Sequence, residues 1–192
     1  QLFPGPVENI PLAYPVNRNG VSTPRDQLSI PPDRTFLLTV GNINRNKRVD
    51  KVIECLAANR ELAAKVFYMV CGHANPETKD RLNALIRQAG LQDGIRLNGR
   101  TSENDLRSYF TVADVCINLR NPAMEGGSAS LVEMMLHGKA GIVSDTGVYA
   151  EVPDSCVRKI RPDHEKEDIT CVLSDLVSDP QLRERLGGNA LS

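Results

Sequence analysis

The sequence predicts an α/β fold, an open parallel sheet with helices on both faces. Two observations lead there. Short apolar runs of strand length, among them Thr35–Gly41, Val66–Gly72, Ile95–Gly99, Asp114–Leu119 and Ala140–Asp145, alternate with longer segments of helical period. The polar loops that follow these runs hold the chemically capable side chains, and ligands of such sheets bind beyond the carboxyl ends of the strands. With 192 residues and 41% hydrophobic content, the chain can bury one good core.

In chain order, residues 1–33 hold seven of the twelve prolines, which argues against regular helix. They read as a linker with extended structure around Ile10–Tyr14, and residues 34–192 as the domain. After the first strand, a helix from about Lys47 to Asn59 is expected, because Val49, Val52, Ile53 and Leu56 share one face. Its start is crowded with Arg45, Lys47 and Arg48, at the end where the helix dipole disfavours cations. Either an anion binds there or the surface is simply basic and solvated. Pro76 opens the next helix and Gly90 ends it. His73, on the crevice side, reads as a loop residue. Arg100 and Thr101 follow the third strand, and Ser102 caps a helix to about Val112.

The central stretch runs from Val112 to Pro153. A buried strand at Asp114–Leu119 leads into a polar loop carrying Glu125, then the small residues Gly126, Gly127, Ser128, Ala129 and Ser130, then a helix over Leu131–Leu136 stopped by Gly138. Glu133 is the one charge in that helix and needs a partner. It can close a capping box with Ser130, or it can accept hydrogen bonds from the vicinal hydroxyls of a ribose. Local sequence leaves both open. Small side chains at a helix start also let an anion reach the backbone amides. Beyond lie a loop at Thr146–Asp154, a last strand at Cys156–Ile160, an amphipathic helix at Glu165–Ser178 and a short closing helix at Gln181–Leu186.

A net charge of −1 argues against a nucleic-acid partner or a membrane-surface module, and no run has the length of a transmembrane segment. Five cysteines without CxxC spacing read as reduced thiols of a cytoplasmic protein.

Glu125 and Glu133 have seven residues between them, and EGGSASLVEMMLHGKAGIV aligns without a gap to the pattern EGFGLPxLEAMAxGxPVV. With FLLTVG and a downstream lysine before it, VADVCIN at its start and LVSDPQLRERLGGNA at the end, the stretch from Thr35 to Ala190 resembles the retaining, GT-B-fold glycosyltransferases of family 4 type. The resemblance implies one half of a GT-B fold, the C-terminal, Rossmann-like, donor-binding domain. Residues 1–33 would then include interdomain crossover. The chain starts at Gln1, so an upstream acceptor domain is expected, and contact with a membrane surface would go through it.

The resemblance also implies roles. The substrate would be a nucleotide-diphospho-sugar, UDP- or GDP-linked, with no cofactor and no metal. Lys47 matches the family's diphosphate lysine, but Asn42 stands where the family has arginine, and Arg45 is the candidate to supply the missing charge. Glu125 would position the donor sugar, Glu133 would hold the ribose, and Gly126, Gly127, Ser128, Ala129 and Ser130 would offer backbone approach to phosphate. Arg100 and Thr101 would border the base. Two alternatives stand: a sugar-nucleotide epimerase of the same architecture, or a non-catalytic nucleotide-binding or receiver-like module. A receiver needs clustered acids after its first strand, where this chain has Asn42, Arg45, Lys47 and Arg48.

Overall fold

The computed structural model describes residues 23–192, so the extended segment expected at Ile10–Tyr14 lies outside the described residues. Six strands form one sheet: β1 (Thr35–Val40), β2 (Val66–Cys71), β3 (Ile95–Gly99), β4 (Val115–Asn118), β5 (Ala140–Ser144) and β6 (Val157–Ile160). All pairings are parallel and the order is β3-β2-β1-β4-β5-β6. The helices are α1 (Val49–Ala58), α2 (Arg60–Lys65), α3 (Pro76–Ala89), α4 (Glu103–Val112), α5 (Ala129–Leu136), α6 (Glu165–Ser178) and α7 (Pro180–Leu191). This is the expected Rossmann-like α/β architecture. No helix among the described residues is long and apolar enough to cross a membrane.

The inner strands β1, β2, β4 and β5 are buried on both faces, so each feeds two cores by simple alternation. Leu37, Tyr68, Val70, Val115, Ile117 and Ile142 pack with α1, α2, α3 and α6 on one side. Phe36, Leu38, Phe67, Met69, Cys116 and Val143 pack with residues of α4 and α5 on the other. The five cysteines are free thiols, four of them buried.

The order of strands fixes where the sheet opens. From β1 the chain crosses by α1 and α2 on one face towards β2, whereas from β4 it crosses by α5 on the other face towards β5. The connections therefore diverge at the carboxyl ends of β1 and β4 and leave a crevice between them.

Three local expectations are corrected. The single helix expected over Lys47–Asn59 is a 3-10 turn at Arg45–Lys47 followed by α1, with Arg48 between them in the left-handed region at φ 53°. A separate helix, α2, follows, with the Asn59 side chain accepting from the Leu62 amide at 3.0 Å. Of the two readings left open for Glu133, the capping box started from the wrong serine: Ser128 is the N-cap of α5, its Oγ accepting from the Leu131 amide at 3.3 Å, and Ser130 lies inside the helix.

The closing helix α7 is longer than the expected Gln181–Leu186, continuing through Gly187 and Gly188 to Leu191. Glycine weakens a helix locally, and tertiary contact overrides that here. A Cβ on Gly187 would fall 2.0 Å from the Gly138 carbonyl oxygen, so the missing side chain is what lets α7 lie on the turn after α5. Part of the proline-rich stretch also packs on the domain. Ile30 is buried, and Arg25 pairs with Asp114 at 2.8 Å while donating to the Val112 carbonyl.

The two neighbouring glycines of α7 should respond in opposite senses. Gly188→Ala meets open space and should gain about 0.5–1 kcal/mol of stability from helix propensity. Gly187→Ala should lose about 1–3 kcal/mol by overpacking. Urea denaturation of both variants checks this; an equal gain in both would mean that α7 does not press on Gly138.

Candidate functional site

A cavity of about 530 Å³ opens at the divergence of β1 and β4. On the β1 side Gly41 has φ 125°, and a Cβ there would lie 2.8 Å from the Lys47 Nζ. Glycine thus lets the lysine side chain fold back over the strand end. Lys47 is only 3% exposed and its ammonium donates to the Val40 carbonyl. The loop that carries it is held locally: Asn44 Oδ1 accepts from the amides of Asn46 and Lys47, at 3.1 and 3.3 Å, and the buried Ile43 donates its amide to the His73 carbonyl at 2.7 Å.

Burial pulls the Lys47 pKa from 10.5 down to about 7. The nearby Arg120 charge contributes to that fall, and Glu125 offsets part of it.

On the β4 side, the loop from Leu119 to Gly127 presents Arg120 and Glu125. The Arg120 amide donates to Ser144 Oγ at 2.8 Å and its Nη1 to the Leu119 carbonyl at 2.8 Å, while its Nε meets a Glu125 oxygen. Glu125 also accepts from the Tyr149 hydroxyl at 2.7 Å and the Met124 amide at 3.2 Å. Burial works to raise the Glu125 pKa, but the Tyr149 hydroxyl and Arg120 outweigh it and hold the carboxyl below its ordinary range. Burial, with the carboxylate beside it, pushes the Tyr149 phenol up to about 12.

The floor is the start of α5. Asn118, the last residue of β4, donates to Ser128 Oγ and accepts from Ser130 Oγ, both at 3.2 Å, which ties the helix start to the strand end. Gly127, Ser128, Ala129 and Ser130 line the cavity. One turn further on, Glu133 lines it too, half-buried, with His137 Nδ1 3.4 Å from its carboxylate. The His137 ring stacks on Phe110 of α4, which forms part of the opposite wall.

The structure brings together most of the residues singled out from the sequence, though not all. Lys47, Glu125, Gly127, Ser128, Ala129, Ser130 and Glu133 share the one cavity. Arg100 and Thr101 line an adjoining space of about 280 Å³ that shares Val40, Gly41 and Leu106 with it. Asn42 and Gly126 are exposed and line neither space. Arg45 also lines neither; its guanidinium lies 3.6 Å from Glu77, with both side chains at least three-quarters exposed.

Two residues of the site were not anticipated. Arg120 follows β4 just as Lys47 follows β1, and the same rule of position could have found it. Tyr149, fully buried in what reads as a polar loop, has no such signal.

The two loops are also joined to each other. The Asn121 amide donates to the Asn46 carbonyl at 3.0 Å, and Asn121 Nδ2 reaches Glu165 Oε1 at 3.3 Å. Glu165, at the start of α6, takes the Arg48 guanidinium at both of its oxygens.

Comparison with known proteins follows this geometry. The profile of the family described as glycosyl transferases group 1 matches residues 22–192. An alpha-D-kanosaminyltransferase of Streptomyces kanamyceticus is 26% identical over 159 residues, which are 82% of this chain and 40% of that protein. The chain thus spans well under half the length of such relatives. Among solved structures, HepE of Anabaena in complex with UDP-glucose superposes with a TM-score of 0.76 at 19% identity, covering 87% of this chain and 45% of HepE. The C-terminal domain of the group 1 family protein LpcC from Francisella tularensis gives 0.73 at 23% identity and covers 86% of each chain. At these identities the structural likeness speaks for the fold.

The Lys47 environment has a consequence for stability. Its folded-state pKa lies below the unfolded one, so from about pH 7 up to the ordinary lysine value the unfolded chain binds more protons, and the contribution of this group to stability rises with pH. Without ligand, Lys47→Met should therefore stabilise the chain by roughly 2–4 kcal/mol below pH 7, and that advantage should shrink as pH climbs through about 8 and 9. Paired denaturation curves at each pH measure it, and a difference that stays constant with pH would contradict a discharging, buried lysine.

Proposed function

This chain belongs to the glycosyl transferases of group 1, and from that premise we propose that it is the donor-binding domain of an enzyme that moves a sugar, with retention, from a nucleotide-diphospho-sugar to an acceptor. One observation carries this reading. A buried lysine, a helix start and two carboxylates all open on a single cavity at the point where the strand order reverses.

Each group has a distinct task. The Lys47 ammonium and the amides at the start of α5 face the diphosphate, and the charge that builds on it as the glycosidic bond breaks is met by donors already in place. In this reading they do what a divalent metal does in other transferases. Glu133, one turn along α5, accepts from the ribose hydroxyls. Glu125, fixed by Tyr149 and the Met124 amide, accepts from hydroxyls of the donor sugar and so orients its anomeric carbon. The Anabaena structure with UDP-glucose supports a nucleotide-sugar donor for this fold. Acceptor binding belongs, in this proposal, to a separate domain of the full-length protein, so turnover by this chain alone is not expected. Arg100 and Thr101, in the adjoining space, border the base.

Addition of UDP, GDP or ADP tests the site. A diphosphate at roughly a hundred times its dissociation constant adds about 2.7 kcal/mol, which should raise the melting temperature by several degrees. Lys47→Met and Glu133→Gln should remain folded and lose that response. The response of the unsubstituted chain should weaken as pH rises above about 7, because Lys47 must then take up a proton to bind. If none of the three diphosphates shifts the melting temperature, or if both variants respond as the parent does, the donor site is elsewhere.

A further inference from the structure

We propose that Arg120 is the second cation of the diphosphate site and that it reaches the phosphates by exchanging its ion pair with Glu125 for one with the ligand; this deepens the donor-domain reading and rests on it. The need for a second cation comes from charge. A nucleoside diphosphate brings two to three negative charges, and Lys47 supplies one. Asn42 is neutral and exposed, and Arg45 lies against Glu77 on open surface, outside the cavity.

Arg120 has the placement that Arg45 lacks. It lines the same cavity as Lys47, and its side chain is only 12% exposed. Its backbone and Nη1 are anchored by Ser144 and Leu119, so the guanidinium is presented from a fixed base. The hydrogen bond from the Asn121 amide to the Asn46 carbonyl joins its loop to that of Lys47, and the Arg48–Glu165–Asn121 network braces the same junction. The spacing of the two cations is thereby set before any ligand arrives.

Glu125 is the place-holder. A half-buried guanidinium without a counter-ion is costly, and the carboxylate meets that need in the free chain. Phosphate oxygens can replace it in kind, one charged hydrogen bond for another, and a planar guanidinium suits them. Glu125 stays in position after the exchange, because the Tyr149 hydroxyl and the Met124 amide still hold it. Glu125 lines the cavity, and the lone pair it recovers becomes free for the donor sugar. Binding of phosphate thus readies the carboxylate for sugar.

Calorimetric titration with UDP and GDP, each beside its monophosphate, tests the exchange. In Arg120→Gln, affinity for the better-bound diphosphate should fall about tenfold or more, with a smaller loss for the monophosphate. Arg45→Gln, which alters a cation outside the cavity, should bind as the parent does. Glu125→Gln should bind the diphosphate several-fold more tightly, because the competitor for Arg120 has lost its charge. Should Arg120→Gln fail to fold, the Glu125→Gln titration decides alone. Undiminished diphosphate binding by Arg120→Gln, or an unchanged or weakened affinity in Glu125→Gln, overturns the proposal. If the parent chain binds neither UDP nor GDP, the donor-domain reading itself fails, which is a different result.

Discussion

An ammonium group that is almost wholly removed from water must be compensated or discharged, and that requirement organises the crevice end of this domain. Lys47 meets it by donating to the Val40 carbonyl and by giving up most of its affinity for the proton. The geometry has its own demands. Gly41 must lack a side chain for the lysine to pass, and Gly72, whose Cβ would fall 1.7 Å from the Gly41 oxygen, must lack one for β2 to end beside β1. Arg48 must then turn through a left-handed conformation to start α1, a cost of about 1 kcal/mol or more for a residue with a side chain. Its guanidinium settles on Glu165, and the two-oxygen contact holds the turn. The lysine loop is thus over-determined from three directions.

The same over-determination separates a binding crevice from a mere gap in the helix layer. Any parallel sheet of this order leaves space where its crossovers diverge. Here the space is walled by side chains whose own positions are fixed by strand ends: Asn118 holds both serines of the α5 start, and Ser144, at the end of β5, holds the Arg120 amide. Three adjacent strands therefore position the cavity lining without help from any ligand. Preorganisation of this kind lowers the ordering cost of binding.

How much of this was legible in the sequence depended on how local the deciding interaction was. The helices at Pro76–Ala89 and Glu165–Ser178 have the ends expected, because a proline in the first turn, an acidic first turn or a closing glycine act within a few residues. The Glu125 and Glu133 pair was legible because both lie on one short segment. The start of α5 was misplaced by two residues, since the choice between Ser128 and Ser130 is made by Asn118 ten residues upstream. The turn at Arg48 was illegible for a stronger reason: its partner is 117 residues away. Arg120 follows β4 by the same rule of position that marks Lys47, but that the two share one cavity depends on the pairing of β1 with β4, which no spacing along the chain displays.

The electrostatics of Glu125 also bear on what kind of chemistry that carboxylate can support. An enzyme that cleaves glycosides by acid catalysis needs one carboxyl kept protonated near neutrality, usually by apolar burial. Glu125 has the opposite environment. A guanidinium, a phenol and a backbone amide all favour its anion, and burial, acting alone in the other direction, is outweighed. Tyr149 is no better an acid, since burial, with the Glu125 carboxylate beside it, pushes its own proton release up to about 12. A carboxylate locked as an acceptor can orient hydroxyls and lend charge, but it cannot hand a proton to a leaving group at neutral pH. In the proposed reading the leaving group is a diphosphate, which departs without one when cations receive it. In that reading the lysine folded back over the end of β1 is one of the groups that would meet the charge.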